Sequence, residues 1–316
     1  SIGRIFEQNI MFQVPKYQRY YAWDDEQVED FIKDIDTILK KTEEETKGEH
    51  FFGGIVCAKI DVEGSTRQQK ELIDGQQRIT TAILLVINII RFYNELLSDK
   101  EILQEDAKII EKRIEKITDK YLIYNDEINR HPLVVNKLVL SVADDEYFKS
   151  LLSDSPIKEE RDSHKRLSRA LNKIKVYIQH KLSVCSSISE KIDVLALLEG
   201  VLYNCTVIFM DCDSRESAYK LFQALNDRGA GLTEGDLLKS KTLEVLEKHP
   251  QMQSQVNALW DDILKDEPRS VENFLRTYYA SVVGKRAGRT SLYDDYIENI
   301  FHDIRDVTED ISEDIA

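Results

Sequence analysis

The stretch from Lys70 to Leu97 sets the strongest limits on what this chain can become. Lys70 to Ile73 reads as a short strand, Asp74-Gly75 stops it, and Gln76 to Leu97 then runs on with no proline or glycine to interrupt it. Ile79, Ala82, Ile83, Val86, Ile87 and Ile90 recur at helical spacing, so one tight turn joins a strand to a long apolar helix. The start of such a helix offers backbone N–H groups with no partner inside the helix, together with the positive end of its dipole, and both suit an anion. Arg78, one turn in, is placed to fork onto a phosphate, and Asp74 to hold a magnesium ion or a water. The same residues also admit a purely structural reading, in which Asp74 caps the helix, Gln77 closes the capping box and Arg78 is a surface cation that contributes little to folding.

Elsewhere breakers are scarce. Gly 12 and Pro 5 in 316 residues lie below the roughly 7% and 5% of average proteins, so long helices are expected. Pro15 keeps Phe12 to Trp23 extended or looped. Asp24 and Gln27 then open a helix with Val28, Phe31, Ile32, Ile35 and Leu39 on one face. Lys40 to Glu49 is a charge run best read as a solvated loop, and Phe51 to Ile60, rich in aromatic and β-branched residues around Gly53-Gly54, reads as a buried strand. Leu103 to Ile117, Leu167 to Leu182 and Ile192 to Leu202 carry helical periodicity, which makes the middle of the chain helical. Cys205 to Met210 is a third strand. Asp213 and Glu216 open a helix with Ala218, Leu221, Phe222 and Leu225 inward, Asn226 to Gly231 is a turn, and Thr233 caps the next helix. Helices near 256–264, 271–283 and 292–304 follow. The pattern predicts an α+β chain that is mostly helical. Three short strands cannot each bury both faces alone, so residues 1–100 and 203–245 are expected to pack as one core. Residues 101–202 form a helical insertion and 246–316 a C-terminal helical region leading to a further, nuclease-bearing part.

Composition removes several functions. With 58 acidic against 43 basic residues the net charge is -15, which is unsuited to a sequence-blind wrap around a phosphate backbone, so any contact with nucleic acid must be local. The densest apolar stretch, Ala82 to Ile90, falls far short of the roughly 20 residues that span a bilayer, and no charged-then-apolar leader opens the chain. No membrane partner is expected and the chain reads as cytoplasmic. Cys57, Cys185, Cys205 and Cys212 form no C-x-x-C pair and the histidines show no zinc-site spacing, which leaves buried free thiols. No G-x-x-x-x-G-K-[ST] occurs, so nucleotide chemistry would have to use the strand-to-helix turn instead of a P-loop. The nearest approach to a carboxylate-lysine nuclease centre, Glu45-Thr46-Lys47, lies in the solvated charge run.

Two further segments carry chemistry-bearing residues. Lys16 and Arg19 lie among the aromatics of Tyr17 to Trp23, which suits stacking on a base with a phosphate contact, unless the aromatics are core and the cations snorkel. Asn226 to Lys239 again sets an arginine, Arg228, and glycines beside a helix start, which ordinary capping also explains.

Taken together, Pro15-x-Tyr17-Gln18-Arg19-x-Tyr21-x-Trp23, Phe52-Gly53, Asp74-Gly75-Gln76-Gln77-Arg78 and Asn226-x-Arg228-Gly229-x-x-Leu232-x-x-x-Asp236 resemble, in order and spacing, the family known as domain of unknown function 262. The resemblance spans about residues 1 to 245. It implies a small ParB and sulfiredoxin-like mixed sheet with a large helical insertion and C-terminal helices, as in the GmrSD, SspE and BrxU systems that restrict phage with modified DNA. It further implies binding and hydrolysis of a nucleoside triphosphate (GTP, ATP or another) with Mg. Asp74, Gln76, Gln77 and Arg78 would be the catalytic residues, with Asp74 on the metal. Lys16, Tyr17, Gln18, Arg19, Gly75, Asn226 and Arg228 would bind the nucleotide. The partners implied are modified phage DNA and a His-Asn-His nuclease, expected on a further region or a second polypeptide, with self-association into a homo-oligomer left open. The alternative reading is a module that binds nucleotide or modified DNA without turnover.

Overall fold

The computed structural model describes residues 1–15, 18, 20–43, 50–60, 68–126, 133–155, 157–215, 217–218, 221, 233–246, 249–264, 268–288 and 292–301. They form two compact units, the first reaching residue 221 and the second running from 233 onward.

The first unit opens with helix α1 (Ile2–Glu7), strand β1 (Met11–Gln13), helix α2 (Asp25–Glu43), strands β2 (His50–Ile60) and β3 (Gln69–Asp74), and helix α3 (Gln76–Leu97). Next come α4 (Gln104–Ile117), a π turn (Thr118–Leu122), strands β4 (Ile123–Asp126), β5 (Leu133–Asn136) and β6 (Leu138–Val139), helices α5 (Val142–Leu152), α6 (Asp162–Ser183) and α7 (Ile188–Asn204), and strand β7 (Cys205–Cys212). The five strands β6-β1-β3-β2-β7 make one mixed sheet, in which only the β2–β3 pair is antiparallel, and β4 and β5 form a separate two-stranded ribbon. The described residues are therefore mostly helical around a small mixed sheet.

Local chemistry accounts for these boundaries. Asp24 Oδ1 accepts from the Glu26 N–H at 3.0 Å and Gln27 Oε1 from the Asp24 N–H at 2.9 Å, a reciprocal cap that starts α2 where the sequence places it. The Cys205 strand lies in the same sheet as β2 and β3 and pairs with β2 from His50–Cys205 to Ala58–Cys212. The middle of the chain departs from the all-helical expectation. β4 and β5 pair with each other, and β6 extends the main sheet beside β1, in segments too short for a periodic signal. Lys137 enforces that excursion: buried, it donates to the Phe6 carbonyl at 3.0 Å and the Lys120 carbonyl at 2.7 Å, tying the start of β6 to α1 and the π turn.

α3 runs through the centre of this unit. By length and composition alone it is apolar enough to cross a membrane, but its apolar surface is taken up by the core, where Ile79, Ile83, Val86 and Tyr93 meet residues of α2, α6 and α7. Burial of that surface is the main stabilising term of the unit. Cys57 and Cys205 are buried as expected, whereas Cys185 and Cys212 are only half-buried. Burial holds both buried thiols above their usual range, Cys205 at about 12, so neither is a nucleophile near neutral pH.

The second unit holds α8 (Glu234–Val245), α9 (Pro250–Ile263), α10 (Pro268–Val283) and α11 (Leu292–Asn299) around a core of Leu238, Val271, Leu275, Tyr279, Leu292 and Tyr296. Thr233 caps α8 reciprocally with Asp236, whose Oδ2 accepts the Thr233 N–H at 2.8 Å.

Candidate functional site

The turn between β3 and α3 is built on a residue that must be glycine. Gly75 has φ 95° and ψ 2°, a left-handed conformation that costs other residues roughly 1–2 kcal/mol. A Cβ there would come within 2.9 Å of Ile55 Cγ1 and 3.3 Å of the Gly54 carbonyl oxygen. This close approach lets α3 start directly against β2. Gly75 is also the N-cap, and no side chain caps the helix. The purely structural reading of Asp74 and Gln77 as a capping box is therefore not realised. Asp74 is the last residue of β3, and Gln77 bonds elsewhere.

Across the turn, β2 carries a second left-handed glycine, Gly53, with φ 96°. Its pairing with β7 skips a residue there, from Phe51–Thr206 to Gly54–Ile208, which marks a bulge. The Arg78 guanidinium lies in the space left by the missing side chain: a Cβ on Gly53 would sit 3.1 Å from Nη1 and 3.3 Å from Cζ. Arg78 Nη2 donates to the Gly54 carbonyl at 2.5 Å and to Asp74 Oδ2 at 2.9 Å. Its Nε is buried without a hydrogen-bond partner among the described residues. The side chains of Arg78 and Asp74 are 25% and 35% exposed. Arg78 is thus no free surface cation, as the sequence alone allowed; it is half-buried, fixed at one tip, with a donor unused.

Gln76 and Gln77 behave differently from their neighbours, for both are buried. The Gln77 amide grips the segment before α2: Oε1 accepts from the Ala22 N–H at 2.9 Å and Nε2 donates to the Tyr20 carbonyl at 3.2 Å. Tyr21, between them, meets the Thr81 hydroxyl at 2.8 Å, and burial with little compensation drives its phenol well above the usual range. The Tyr21 N–H donates to Asp144 Oδ2 at 2.8 Å, while Asp144 Oδ1 takes the Ser163 hydroxyl at 2.5 Å. Gln76, Gln77, Thr80, Tyr21, Ser141 and Asp144 surround a niche of about 10 Å³, enough for one water and far too small for a nucleotide. Tyr21 and Trp23 accordingly belong to the core, Trp23 packing on Phe31 at 6.3 Å between ring centres.

The structure therefore brings Asp74, Gly75, Gln76, Gln77 and Arg78 together with the Tyr20–Ala22 backbone. Gln18 is a half-buried residue that groups with the second unit. Lys16, Tyr17, Arg19, Asn226 and Arg228 lie outside the described residues, as does Glu45-Thr46-Lys47. Among the described residues no three His, Cys, Asp or Glu side chains converge as a metal site. Sequence reasoning missed Asp144, the carboxylate that orders Tyr21. The signal available was Ser141-x-x-Asp144 ahead of an apolar run, a helix-start pattern hidden in a region read as uniformly helical.

Comparison with known proteins adds one match. A family model described as GmrSD restriction endonuclease, N-terminal domain, covers residues 2–243 of the 316 and so includes all of this geometry. No curated protein matches the chain significantly.

Proposed function

Because the chain belongs to the family of GmrSD restriction endonuclease N-terminal domains, and is thus a component of a restriction system, we propose that it is the nucleotide-driven sensor of that system. In this reading it binds and hydrolyses a nucleoside triphosphate, senses modified phage DNA in the cytoplasm, and gates a His-Asn-His nuclease carried on a further domain or subunit. The observation that carries the reading is the state of Arg78: a guanidinium seated in a two-glycine recess beside a carboxylate, with a buried N–H unpartnered among the described residues. A buried donor without an acceptor is costly, and a phosphate oxygen is the acceptor best matched to it.

The residues also fit a magnesium nucleotide. Mg²⁺ commonly takes one or two protein carboxylates and completes its shell with phosphates and water, so the single part-exposed carboxylate of Asp74 suffices. When bound, the ion neutralises charge building on the phosphates. Arg78 supplies a fixed positive charge whose position is set before the ligand arrives, through the Gly54 carbonyl and Asp74. Gly53 and Gly75 keep the recess open, and Gln77 acts at one remove by holding the Tyr20–Ala22 backbone that leads back to Lys16, Tyr17 and Arg19.

The test is hydrolysis of γ-labelled nucleotides by the purified chain, with and without glucosylated, phosphorothioated or plain DNA, in wild type and Arg78→Ala. Magnesium-dependent release of phosphate that is lost in the variant supports the reading. Turnover equal to wild type in a folded Arg78→Ala protein refutes it.

A further inference from the structure

Beside Arg78 the sheet carries an exposed apolar pair that the proposed phosphate site does not use. Phe51 on β2 is 60% exposed and Ile208 on β7 is 54% exposed, whereas most large apolar side chains of this sheet are buried or half-buried. The pairing places them on one face. Phe51 lies opposite Thr206 and Gly54 opposite Ile208; paired residues project to the same side, as do residues two apart such as Thr206 and Ile208. Asp74 pairs with Val56, and Val56 with Met210, so Asp74, Met210, Ile208 and Phe51 all emerge on this face. Gly54 joins the two halves, since its carbonyl holds Arg78 and its place opposite Ile208 has no side chain; a Cβ there would meet only the Met210 methyl, at 3.3 Å. A charged end and an apolar, aromatic end thus adjoin on one open surface.

We propose that Phe51 and Ile208 form the shelf on which the base of the bound nucleotide stacks, with its phosphates on Arg78 and Asp74. This rests on the phosphate-site reading above and extends it to the other end of the ligand. An aromatic ring beside an aliphatic side chain offers a flat apolar surface with no donor or acceptor, so it holds the base by stacking.

The test separates the two ends by titrating GTP, ATP and inorganic tripolyphosphate, which has no base, into the full chain with magnesium by calorimetry. Phe51→Ala should weaken both nucleotides by roughly tenfold, within the range of stacking on one aromatic, and leave tripolyphosphate unchanged. Phe51→Trp should restore nucleotide binding, and Ile208→Lys should weaken it without touching tripolyphosphate. Arg78→Ala should weaken all three ligands. Nucleotide affinities unchanged in both Phe51→Ala and Ile208→Lys, while Arg78→Ala still abolishes binding, would overturn the shelf and leave the phosphate site standing. A wild-type chain that binds none of the three ligands overturns the phosphate site and the shelf with it.

Discussion

Replacing three neighbouring glycines one at a time by alanine measures how the site is built. Gly75 and Gly53 both have left-handed φ, 95° and 96°, while Gly54 does not. At Gly75 the new Cβ meets Ile55 Cγ1 at 2.9 Å, with the Gly54 oxygen and Ile55 Cα both at 3.3 Å, and two of those three atoms are backbone that cannot swing aside. The conformational cost of about 1–2 kcal/mol and an overpacking cost of about 1–3 kcal/mol then act together, for a loss of about 3–4 kcal/mol. At Gly53 only the conformational cost applies in full, because the obstructing atoms belong to the movable end of Arg78; about 1–2 kcal/mol is expected. At Gly54 the Met210 methyl yields, and the lower entropy of the unfolded alanine chain offsets the contact, so stability should stay within about 0.5 kcal/mol. Urea denaturation followed by circular dichroism, with slopes checked for equality, gives the three values. Nucleotide affinity should follow another order, for Gly53→Ala expels the guanidinium and should bind nucleotide far worse than its small stability loss implies. A Gly54→Ala variant as unstable as Gly75→Ala, or a Gly75→Ala variant within 1 kcal/mol of wild type, would refute this packing argument.

Other expectations follow from the same contacts. Arg78→Ala leaves the Gly54 carbonyl without its donor, and should cost about 1–2 kcal/mol in thermal or urea unfolding, more than an exposed cation would. Gln77→Ala strands the Ala22 N–H and the Tyr20 carbonyl, costing about 1–3 kcal/mol; limited proteolysis should then cut earlier between residues 15 and 24 than in wild type. At alkaline pH the buried phenols of Tyr21, Tyr121 and Tyr177 keep their protons in the folded chain beyond the ordinary value of 10.0, because burial disfavours the charged form. Their stabilising contribution is complete below pH 10 and falls as pH rises above it, by about 1.4 kcal/mol per pH unit for each group. Unfolding temperature should therefore drop steeply from pH 10 to 11, with tyrosinate absorbance appearing at the unfolding step; early absorbance from the folded chain, equal to that of free tyrosine, would contradict the burial.

Much of this site could be read from local sequence because it is local chemistry. Asp74-Gly75 ends a strand and opens a helix wherever a left-handed residue is needed, and the bounds of α3 follow from uninterrupted helical spacing. The partners of those residues were not legible. Nothing in the sequence joins Gln77 to Tyr20 and Ala22, fifty-odd residues earlier, or Tyr21 to Asp144. Such bonds depend on which elements the fold brings together, and a glutamine three residues after an aspartate fits a local cap equally well. Arg78 illustrates the same limit, since a cation in the first exposed turn of a helix reads as solvated until the glycine bulge of β2 is seen beside it. β6 and the β4–β5 ribbon escaped notice because strands of two to four residues carry no period to detect.

The central claim is that the Asp74–Arg78 recess takes the phosphates of a nucleotide. Equilibrium binding of γ-labelled GTP and ATP, measured with and without magnesium on wild type, Arg78→Ala and Arg78→Lys, addresses it most directly, with circular dichroism confirming that each protein is folded. Saturable, magnesium-dependent binding by wild type is expected, weakened at least tenfold by Arg78→Lys, which keeps the charge but not the fork, and lost in Arg78→Ala. Equal affinity in all three folded proteins, or no binding by wild type at any magnesium concentration, would contradict the claim.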